Sequence, residues 1–264
     1  MKTLAAAMLV LLVLPSAGRA TPPGSGWTTV LADDFDYQGS PDSTKWDTCF
    51  PGGRCTNGHA VAAFTPDEPL VSGGWLYLWA TRCSYDPTNC VAGYPWKSSM
   101  IRSKRSFLYG YMEIRWKLSP EQGFHPTFWL LPADGTWPPE VDISEFKGSD
   151  PSSMFMTLHW PNSTGGNAHT GGTLTGVDFA ANFHTAGIRW QPGSIDWYVD
   201  GVKRQTLTQH IPQKPMYVIV TLEVGSLNFD GYPPANLLAD GEFVEFVRVW
   251  QQCNGCDCMN YPLP

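Results

Sequence analysis

Short runs in which apolar and polar residues alternate recur along most of this chain, separated by turn-forming residues. Trp75–Arg82, Tyr111–Leu118 and Phe243–Gln251 alternate with a period of two, which is typical of strands with two different faces. Met216–Val224 is almost entirely apolar and indicates a strand that is buried on both faces. The strict alternation from Tyr111 onward predicts that one face of that strand is open to water.

Turn signals join several of these runs into hairpins. Pro192-Gly193 separates Gly187–Trp190 from Ile195–Val199, and Asp200-Gly201 separates the latter from Val202–Thr206, so two successive hairpins are predicted. Further strands are predicted at Trp27–Phe35, Ser98–Ser103, Thr127–Leu131 and Met154–Trp160. No helix-period segment of useful length accompanies them. Roughly a dozen strands of this kind predict an all-β fold, a β-sandwich of two antiparallel sheets.

The segment E-V-D-I-S-E carries three acids, Glu140, Asp142 and Glu145, in an interrupted alternation. Strict alternation would direct Glu145 into the core, where an unpaired carboxylate is costly. We therefore predict one extra residue, a β-bulge near Ile143 or Ser144, which brings all three acids to one face. Like charges on one sheet face repel one another. We expect this strand on the concave, ligand-bearing sheet.

Paired carboxylates have the chemistry needed to break a glycosidic bond. One attacks the anomeric carbon, and the other is protonated and assists departure of the leaving oxygen. A third acid between them can share a proton with the nucleophile. A solvated acidic face is the alternative explanation for such a run. Features elsewhere in the chain are needed to distinguish it from a catalytic site.

The amino-acid composition limits the classes of fold and ligand that are expected for this chain. The 264 residues include 26 Gly and 23 Pro, with only 16% charged residues, as expected of one turn-rich all-β domain with a sizeable core. A net charge of −7 with scattered Lys and Arg argues against nucleic acid as a partner. The 12 Trp exceed what the core requires, and the excess favours carbohydrate, since sugar rings pack on aromatic side chains. Many of these Trp are expected in the core.

The N-terminal region has the pattern of a secretory signal peptide. Lys2 precedes an apolar run, Leu4–Leu14, and Gly18-Arg19-Ala20 offers small residues before a cleavage point. The apolar run is too short to span a membrane, and no later segment is long and apolar enough. We predict a signal peptide over residues 1–20, a catalytic domain over 21–252 and a Cys-rich tail over 253–264. The mature protein is expected to be extracellular, with no membrane partner.

Seven cysteines fit an oxidising compartment. Cys49 and Cys55 could close one short loop, and Cys83 and Cys90 another. Three cysteines cluster in the tail, at positions 253, 256 and 258. A zinc site made from the tail alone would lack a fourth ligand, so disulfides are favoured, and their connectivity stays open.

At this point the chain resembles glycoside hydrolase family 16, in particular its laminarinase-like branch of endo-β-1,3-glucanases. The resemblance runs nearly end to end. It is carried by Asp34-Phe35-Asp36, Ser99-Met100-Ile101, Tyr109–Arg115, Phe128–Pro132, Glu140–Glu145, Leu158-His159, Phe183–Ile188, Trp197–Gly201 and Val247–Trp250. It implies a concanavalin-like β-jelly roll with a concave substrate cleft. The bulged E-x-D-x-x-E form is similar to that of endo-β-1,3-glucanases and agarases, whereas lichenases carry a shorter form.

The resemblance also implies roles for single residues. Glu140 would be the nucleophile, Asp142 its helper and Glu145 the acid/base. The implied substrate-binding set is Trp129 as an aromatic sugar platform, Trp137 near the cleavage point, His159 on the neighbouring strand, Trp160 and His125. A hydrogen-bonded structural role for His159 and a core position for Trp160 remain alternatives.

Relatives of this kind often bind calcium on the convex face, at positions that match Asp34 and Glu245 here. The alternative is that both are ordinary surface acids, and no cofactor is expected for the chemistry itself. The chain departs from the family pattern at His125, where laminarinases usually carry Trp, and at Thr221 and Gly225-Ser226. The acids are unchanged, but His125 and the residues near Ser226 are expected to line the cleft and so bear on the substrate.

The leading hypothesis is a secreted, retaining endo-glycosidase that acts on a neutral polysaccharide, β-1,3-glucan or mixed-linkage β-1,3/1,4-glucan, as a monomer. An agarase-type hydrolase or a transglycosylase on the same fold is the alternative within enzymes. A non-catalytic glucan-binding protein is the alternative outside them, because fold does not fix function. Binding-only relatives are expected to lose the acids, and this chain keeps all three.

Overall fold

The computed structural model describes residues 22–226 and 229–252, which form two sheets packed face to face. In chain order the strands are β1 (Trp27–Asp33), β2 (Trp46–Asp47), β3 (Ala62–Phe64), β4 (Pro69–Ser72), β5 (Trp75–Arg82), β6 (Trp96–Ser98), β7 (Met100–Phe107), β8 (Gly110–Lys117), β9 (Phe124–Pro132), β10 (Glu140–Lys147), β11 (Asp150–Pro161), β12 (Asn167–Thr175), β13 (His184–Gln191), β14 (Ser194–Val199), β15 (Val202–Leu207), β16 (Met216–Val224) and β17 (Ala239–Gln252). Apart from these strands, the described part contains one 3₁₀ turn, Pro51–Gly53, and no α-helix.

The two sheets differ in size and in what they carry. The smaller sheet has the order β12-β11-β10-β9-β16-β7-β2, and the acidic strand β10 lies near its centre. The larger sheet runs β15-β14-β13-β8-β17-β5-β6-β3, with β1 on β17 and β4 on β5. All pairs are antiparallel except β3 with β6. The prediction of an all-β, two-sheet sandwich is confirmed. No helix in the described ranges has the length and apolarity that a membrane crossing requires.

Most predicted strands are present, and the strongest patterns give the best boundaries. The apolar run from 216 to 224 is β16, and all nine of its residues are buried. The two predicted hairpins are β13-β14-β15. The sequence prediction missed β2, β3, β4 and β6, which have two to four residues each.

The prediction also missed β12, an edge strand of nine residues. Its sequence, N-A-H-T-G-G-T-L-T, is polar and glycine-rich and shows no apolar alternation. Gly171 accounts for one of these glycines, because a Cβ there would lie 2.1 Å from the backbone oxygen of Met156 on β11. Close approach of two backbones therefore selects glycine at this position.

One sequence expectation about β8 is wrong for the first half of the strand, although Arg115 and Lys117 on the same face are partly exposed. The alternation from Tyr111 predicted a face open to water, but Tyr111 and Glu113 are both buried. Tyr198 from β14 and Trp250 from β17 cover that face, with Trp27 packed beside them. Alternation along one strand shows that its faces differ, but it does not show what neighbouring strands place over the polar face.

Burial of Glu113 makes a prediction about stability and pH. Its carboxylate accepts a hydrogen bond from the Tyr111 hydroxyl (3.0 Å), but burial raises its pKa from 4.5 to about 7. A raised pKa in the folded state means that the stabilisation is full below pH 4.5 and is lost as the pH rises through 7. The free energy of unfolding should fall over this window by up to about 1.4 kcal/mol per pH unit for this group.

Denaturant unfolding of Glu113→Gln from pH 5 to pH 8 tests this prediction. The variant should show a shallower fall of the unfolding free energy than the unsubstituted protein. Asp150→Asn removes an exposed acid and serves as the control with an unchanged slope. Equal slopes in all three proteins would show that the Glu113 proton does not link folding to pH.

The two short-range disulfides are formed as the spacing suggested. Cys49 pairs with Cys55, and Cys83 pairs with Cys90. The predicted signal peptide and the Cys-rich tail lie outside the described residues.

Candidate active site

The predicted β-bulge is confirmed in β10. Its register against β9 shifts between Asp142 and Ser144, and its register against β11 shifts between Asp142 and Glu145. As a result Glu140, Asp142 and Glu145 all line one open cleft of about 780 Å³. Ile143 points into the hydrophobic core, so one strand separates the acids from the core.

The bulge is also held from the opposite sheet. Trp197 on β14 is fully buried, and its Nε1 donates a hydrogen bond to the backbone oxygen of Asp142 (3.1 Å). A carbonyl freed by the bulge thus finds a partner inside the core, as buried backbone groups require. Phe146, on the core side of β10, packs against Trp116 of β8. These contacts fix where the acids emerge.

Glu140 lies at one end of the acid group under an aromatic side chain. Nε1 of Trp137 donates to its Oε2 (2.9 Å), and Nε2 of His159 lies 3.7 Å from its Oε1. Burial, followed by the negative charge of Asp142, raises the pKa of the Glu140 carboxyl. Trp137 is 56% exposed, so its ring remains open to a ligand while its nitrogen orients the acid.

Asp142 lies between the two glutamates and is almost fully buried. Nε2 of His159 lies 3.3 Å from its Oδ2. Burial and then the charge of Glu145 raise its pKa well above the usual range. Because the pKa values of Glu140 and Asp142 are both raised, the pair retains a proton at a pH where isolated carboxyls have lost theirs.

His159 is oriented by its neighbour on β12. The side-chain Nδ2 of Asn167 lies 3.0 Å from Nδ1 of His159. Oδ1 of the same amide lies 3.3 Å from that nitrogen, so Asn167 fixes the ring whichever of its amide atoms faces Nδ1. The predicted proximity of His159 to the acids is present, since its Nε2 approaches both Glu140 and Asp142.

Glu145 is paired with a different histidine. Nε2 of His125 on β9 lies 2.8 Å from Oε1 of Glu145. Nδ1 of His125 faces Oε2 of Glu223 on β16 at 3.7 Å. His125 was predicted to bind substrate, and the structure places it in the cleft but in contact with an acid. Glu223 was not among the predicted site residues.

One aromatic wall of the cleft contains a residue that the sequence did not predict. Trp129 lines the cleft but is only 7% exposed. Its Nε1 donates to Oγ1 of Thr221 (3.1 Å), and Phe50 meets its ring edge-on at 5.9 Å. The structure therefore places an aromatic pair at this wall, of which sequence reasoning found one member. The sequence signal for Phe50 was the neighbouring Cys49, because the disulfide between Cys49 and Cys55 holds the loop that places Phe50 at the cleft.

Trp160 is placed outside this cleft, which corrects the prediction that it binds substrate there. It follows His159 on β11, and consecutive strand residues point to opposite faces. Its ring packs against the core cluster and stacks on His210 with centroids 4.3 Å apart. The alternative core position is the one observed.

The acids predicted to hold calcium each have an arginine partner. Nη2 of Arg248 lies 2.8 Å from Oδ1 of Asp34, and Arg115 forms an ion pair with Glu245. A guanidinium on each carboxylate does not fit a shared dication, which needs several free oxygen ligands. Calcium binding remains an untested prediction.

In the part of the chain that the structure describes, one group of three side chains is close enough to share a cation. It consists of Glu140, Asp142 and His159, with donor atoms within 4.8 Å of one another. These are the same three side chains whose mutual contacts are described above.

The fold and the site together define a β-sandwich with a long, acid-lined cleft on its smaller sheet. Residues 60–235 match the model of glycosyl hydrolases family 16. The match covers more than half of the chain, and the chain belongs to this family.

Two curated relatives and one solved structure show how far the likeness extends. The chain is 37% identical over 185 residues to the endo-1,3-1,4-beta-glycanase ExsH of Rhizobium meliloti, a match that covers 68% of this chain and 39% of that protein. It is 30% identical over 251 residues to a beta-glucanase of Rhodothermus marinus, with 85% of each chain covered. The crystal structure of LamAcat from Zobellia galactanivorans superposes with a TM-score of 0.75 at 26% identity, covering 85% of this chain and 98% of that one.

Proposed function

We propose that this protein is an endo-acting β-glucanase that hydrolyses β-1,3 linkages, in β-1,3-glucan or in mixed-linkage β-1,3/1,4-glucan. The observation that carries the proposal is the placement of Glu140, Asp142 and Glu145 side by side in an open cleft. An open cleft lets a long polymer enter along its length, as internal cleavage requires. The activities for which the two curated relatives are named, endo-1,3-1,4-beta-glycanase and beta-glucanase, support the same substrate class.

The mechanism we propose is double displacement with retention of configuration. The Glu140 carboxylate attacks the anomeric carbon while Glu145 gives its proton to the departing glycosidic oxygen, so a covalent glycosyl-enzyme forms as the C–O bond breaks. Glu145 then takes a proton from water, and the resulting hydroxide oxygen displaces Glu140.

Asp142 and His159 support the nucleophile in this scheme. The proton that the buried acid pair retains belongs on Asp142 when Glu140 attacks, since Glu140 must then be ionised. The hydrogen bond from Trp137 to Glu140 Oε2 stabilises the charged form of the nucleophile. Nε2 of His159 lies 3.3 Å from Oδ2 of Asp142 and helps to hold that side chain in place.

The setting of the enzyme is part of the same proposal. We propose a secreted monomer that acts on a neutral polysaccharide and needs no cofactor for the chemistry. The support is the signal-peptide pattern of residues 1–20 and the two disulfides, which are typical of an oxidising compartment.

Product analysis on four polymers tests the substrate. Purified protein is incubated with laminarin, mixed-linkage β-glucan, agarose and κ-carrageenan, and the released oligosaccharides are separated by size. We expect short oligosaccharides of several lengths from laminarin and none with Glu145→Gln, the matched control. Cleavage of agarose alone would instead support an agarase-type hydrolase. Binding to laminarin without any product would support a glucan-binding protein and contradict the proposal.

A further inference from the structure

His125 lies between two carboxylates in the floor of the cleft. On one side its Nε2 is 2.8 Å from Glu145, and on the other its Nδ1 is 3.7 Å from Glu223. The arrangement follows from the sheet, because His125 on β9 is directly opposite Glu223 on β16. Facing side chains of neighbouring antiparallel strands come close together. The chemistry proposed above assigns no part to Glu223.

Glu223 is held in position from behind. Its side chain is 6% exposed, and its Oε1 accepts a hydrogen bond from Nδ2 of Asn57 (2.6 Å). The Nδ1 atom of His125 is buried and has no hydrogen-bond partner other than this approach to Glu223. A buried carboxylate beside an unsatisfied ring nitrogen is costly unless a proton on that nitrogen joins them.

The ring of His125 is also fixed in orientation. Phe229 packs on it with ring centroids 4.3 Å apart. The titratable groups that face His125 are therefore Glu145 and Asp142 from β10 and Glu223 from β16, whereas Asn57 and Phe229 from the flanking loops carry no charge. All three facing groups are acids, so the surroundings favour a protonated imidazole.

We propose that His125 and Glu223 are positioning residues for the acid/base: Glu223 keeps His125 protonated, and the protonated His125 stabilises Glu145 as a carboxylate after Glu145 has given up its own proton. This proposal rests on the proposed function, in which Glu145 is the proton donor. Burial alone would lower the pKa of His125, but the hydrogen bond to Glu145 and the charges of Glu145 and Glu223 raise it above its ordinary value.

The proton balance of the step is simple. When the glycosidic C–O bond breaks, the Glu145 proton moves to the leaving oxygen, and the new carboxylate faces the protonated His125. Water returns the proton to Glu145 in the second step, and the charge on His125 is unchanged over the cycle. Loss of the His125 proton at high pH would remove this stabilisation and slow the first step, so the titration of His125 sets the alkaline limb of the pH profile.

Removal of the Glu223 charge should shift the alkaline limb of the pH profile. Glu223→Gln keeps the shape and the contact with Asn57 but removes a negative charge close to His125, and an opposite charge at this range is worth about one pH unit or more. We expect the alkaline limb of kcat/KM on laminarin to shift by about one unit to lower pH. At the pH optimum of the unsubstituted protein, kcat/KM should fall no more than about threefold, since the catalytic acids are intact. Glu121→Gln, an acid that does not line the cleft, should leave the profile in place.

A double substitution separates a specific pair from a general disturbance. In His125→Gln the limb should no longer respond to Glu223→Gln, because the two residues act through one another. A uniform loss of kcat/KM at every pH in Glu223→Gln would mean that Glu223 is only structural and would overturn the proposal. If Glu223→Gln does not fold, Asn57→Ala, which removes the donor to Glu223, should shift the limb in the same direction by a smaller amount.

A measurement without substrate keeps this proposal apart from the proposed function. The ring nitrogens of His125 can be followed by ¹⁵N NMR from pH 5 to pH 9 in the unsubstituted protein and in Glu223→Gln. The His125 titration should move to lower pH in the variant, even if none of the four polymers is a substrate. An unchanged titration would refute the charge pair, whatever the activity of the enzyme.

Discussion

Glu140→Gln is expected to lose kcat on laminarin by a factor of at least about 10⁴, because removal of a catalytic nucleophile eliminates the covalent route. The glutamine has the same shape and still offers an oxygen to the Trp137 nitrogen, so the fold should be preserved. The measurement is the rate of reducing-end release, with the thermal unfolding midpoint as the check on folding. Near-normal turnover in a folded Glu140→Gln would show that another residue attacks the sugar.

Added azide tests the direction of attack. In Glu140→Gly the lost side chain leaves space beside Asp142, and a small anion can enter it and attack the anomeric carbon while Glu145 still gives its proton to the leaving oxygen. The product would be a glycosyl azide with the configuration opposite to that of the substrate linkage. Glu145→Gln retains the nucleophile and serves as the matched comparison, in which an azide adduct would keep the substrate configuration. The reverse pattern would exchange the roles of the two glutamates.

The second large effect is expected from Glu145→Gln, and it should depend on the leaving group. On laminarin the departing sugar oxygen needs a proton, so kcat should fall by about 10³-fold, within the range of general acid catalysis. On an aryl glucoside with an acidic phenol the leaving group departs without that proton, and formation of the glycosyl-enzyme should be nearly as fast as in the unsubstituted protein.

A pre-steady-state burst of phenol would reveal the fast formation of the glycosyl-enzyme in Glu145→Gln. The variant should release about one equivalent of phenol quickly and then turn over slowly, since the second step still lacks the base that activates water. Glu140→Gln should show no burst with the same substrate. An equal loss on both substrates in Glu145→Gln would argue that Glu145 acts on binding and not on proton transfer.

Sequence reasoning found the acid site because one physical conflict appears in the local pattern. Regular alternation would have buried Glu145, and the cost of burying a carboxylate required the extra residue that the register shift in β10 now shows. Strand β16 was equally predictable from the sequence, since nine consecutive buried residues need an apolar run. Such features depend on a few consecutive residues and on burial alone.

Other features of the site depend on residues that are distant in sequence. Glu223 lies opposite His125 only because β16 pairs with β9 in this register. The hydrogen bond from Trp197 to Asp142 crosses between the two sheets. The polar face of β8 is covered by Trp250 from the end of β17. No local sequence pattern encodes these partners. The three acids could therefore be predicted from the sequence, whereas the residues that hold them in place could not.

Each strand under the cleft has one face that lines the cleft and one face that packs in the core. On β10 the acids line the cleft, while Val141, Ile143 and Phe146 are buried in the core. On β9, His125 faces the cleft while Phe128 is in the core. The set of side chains that lines the cleft is thus largely separate from the set that keeps the protein folded. Substrate preference can be redesigned, or can diverge between relatives, one cleft residue at a time at little cost in thermal stability. The tolerance should end at residues that line the cleft and also pack in a hydrophobic cluster, such as Trp129.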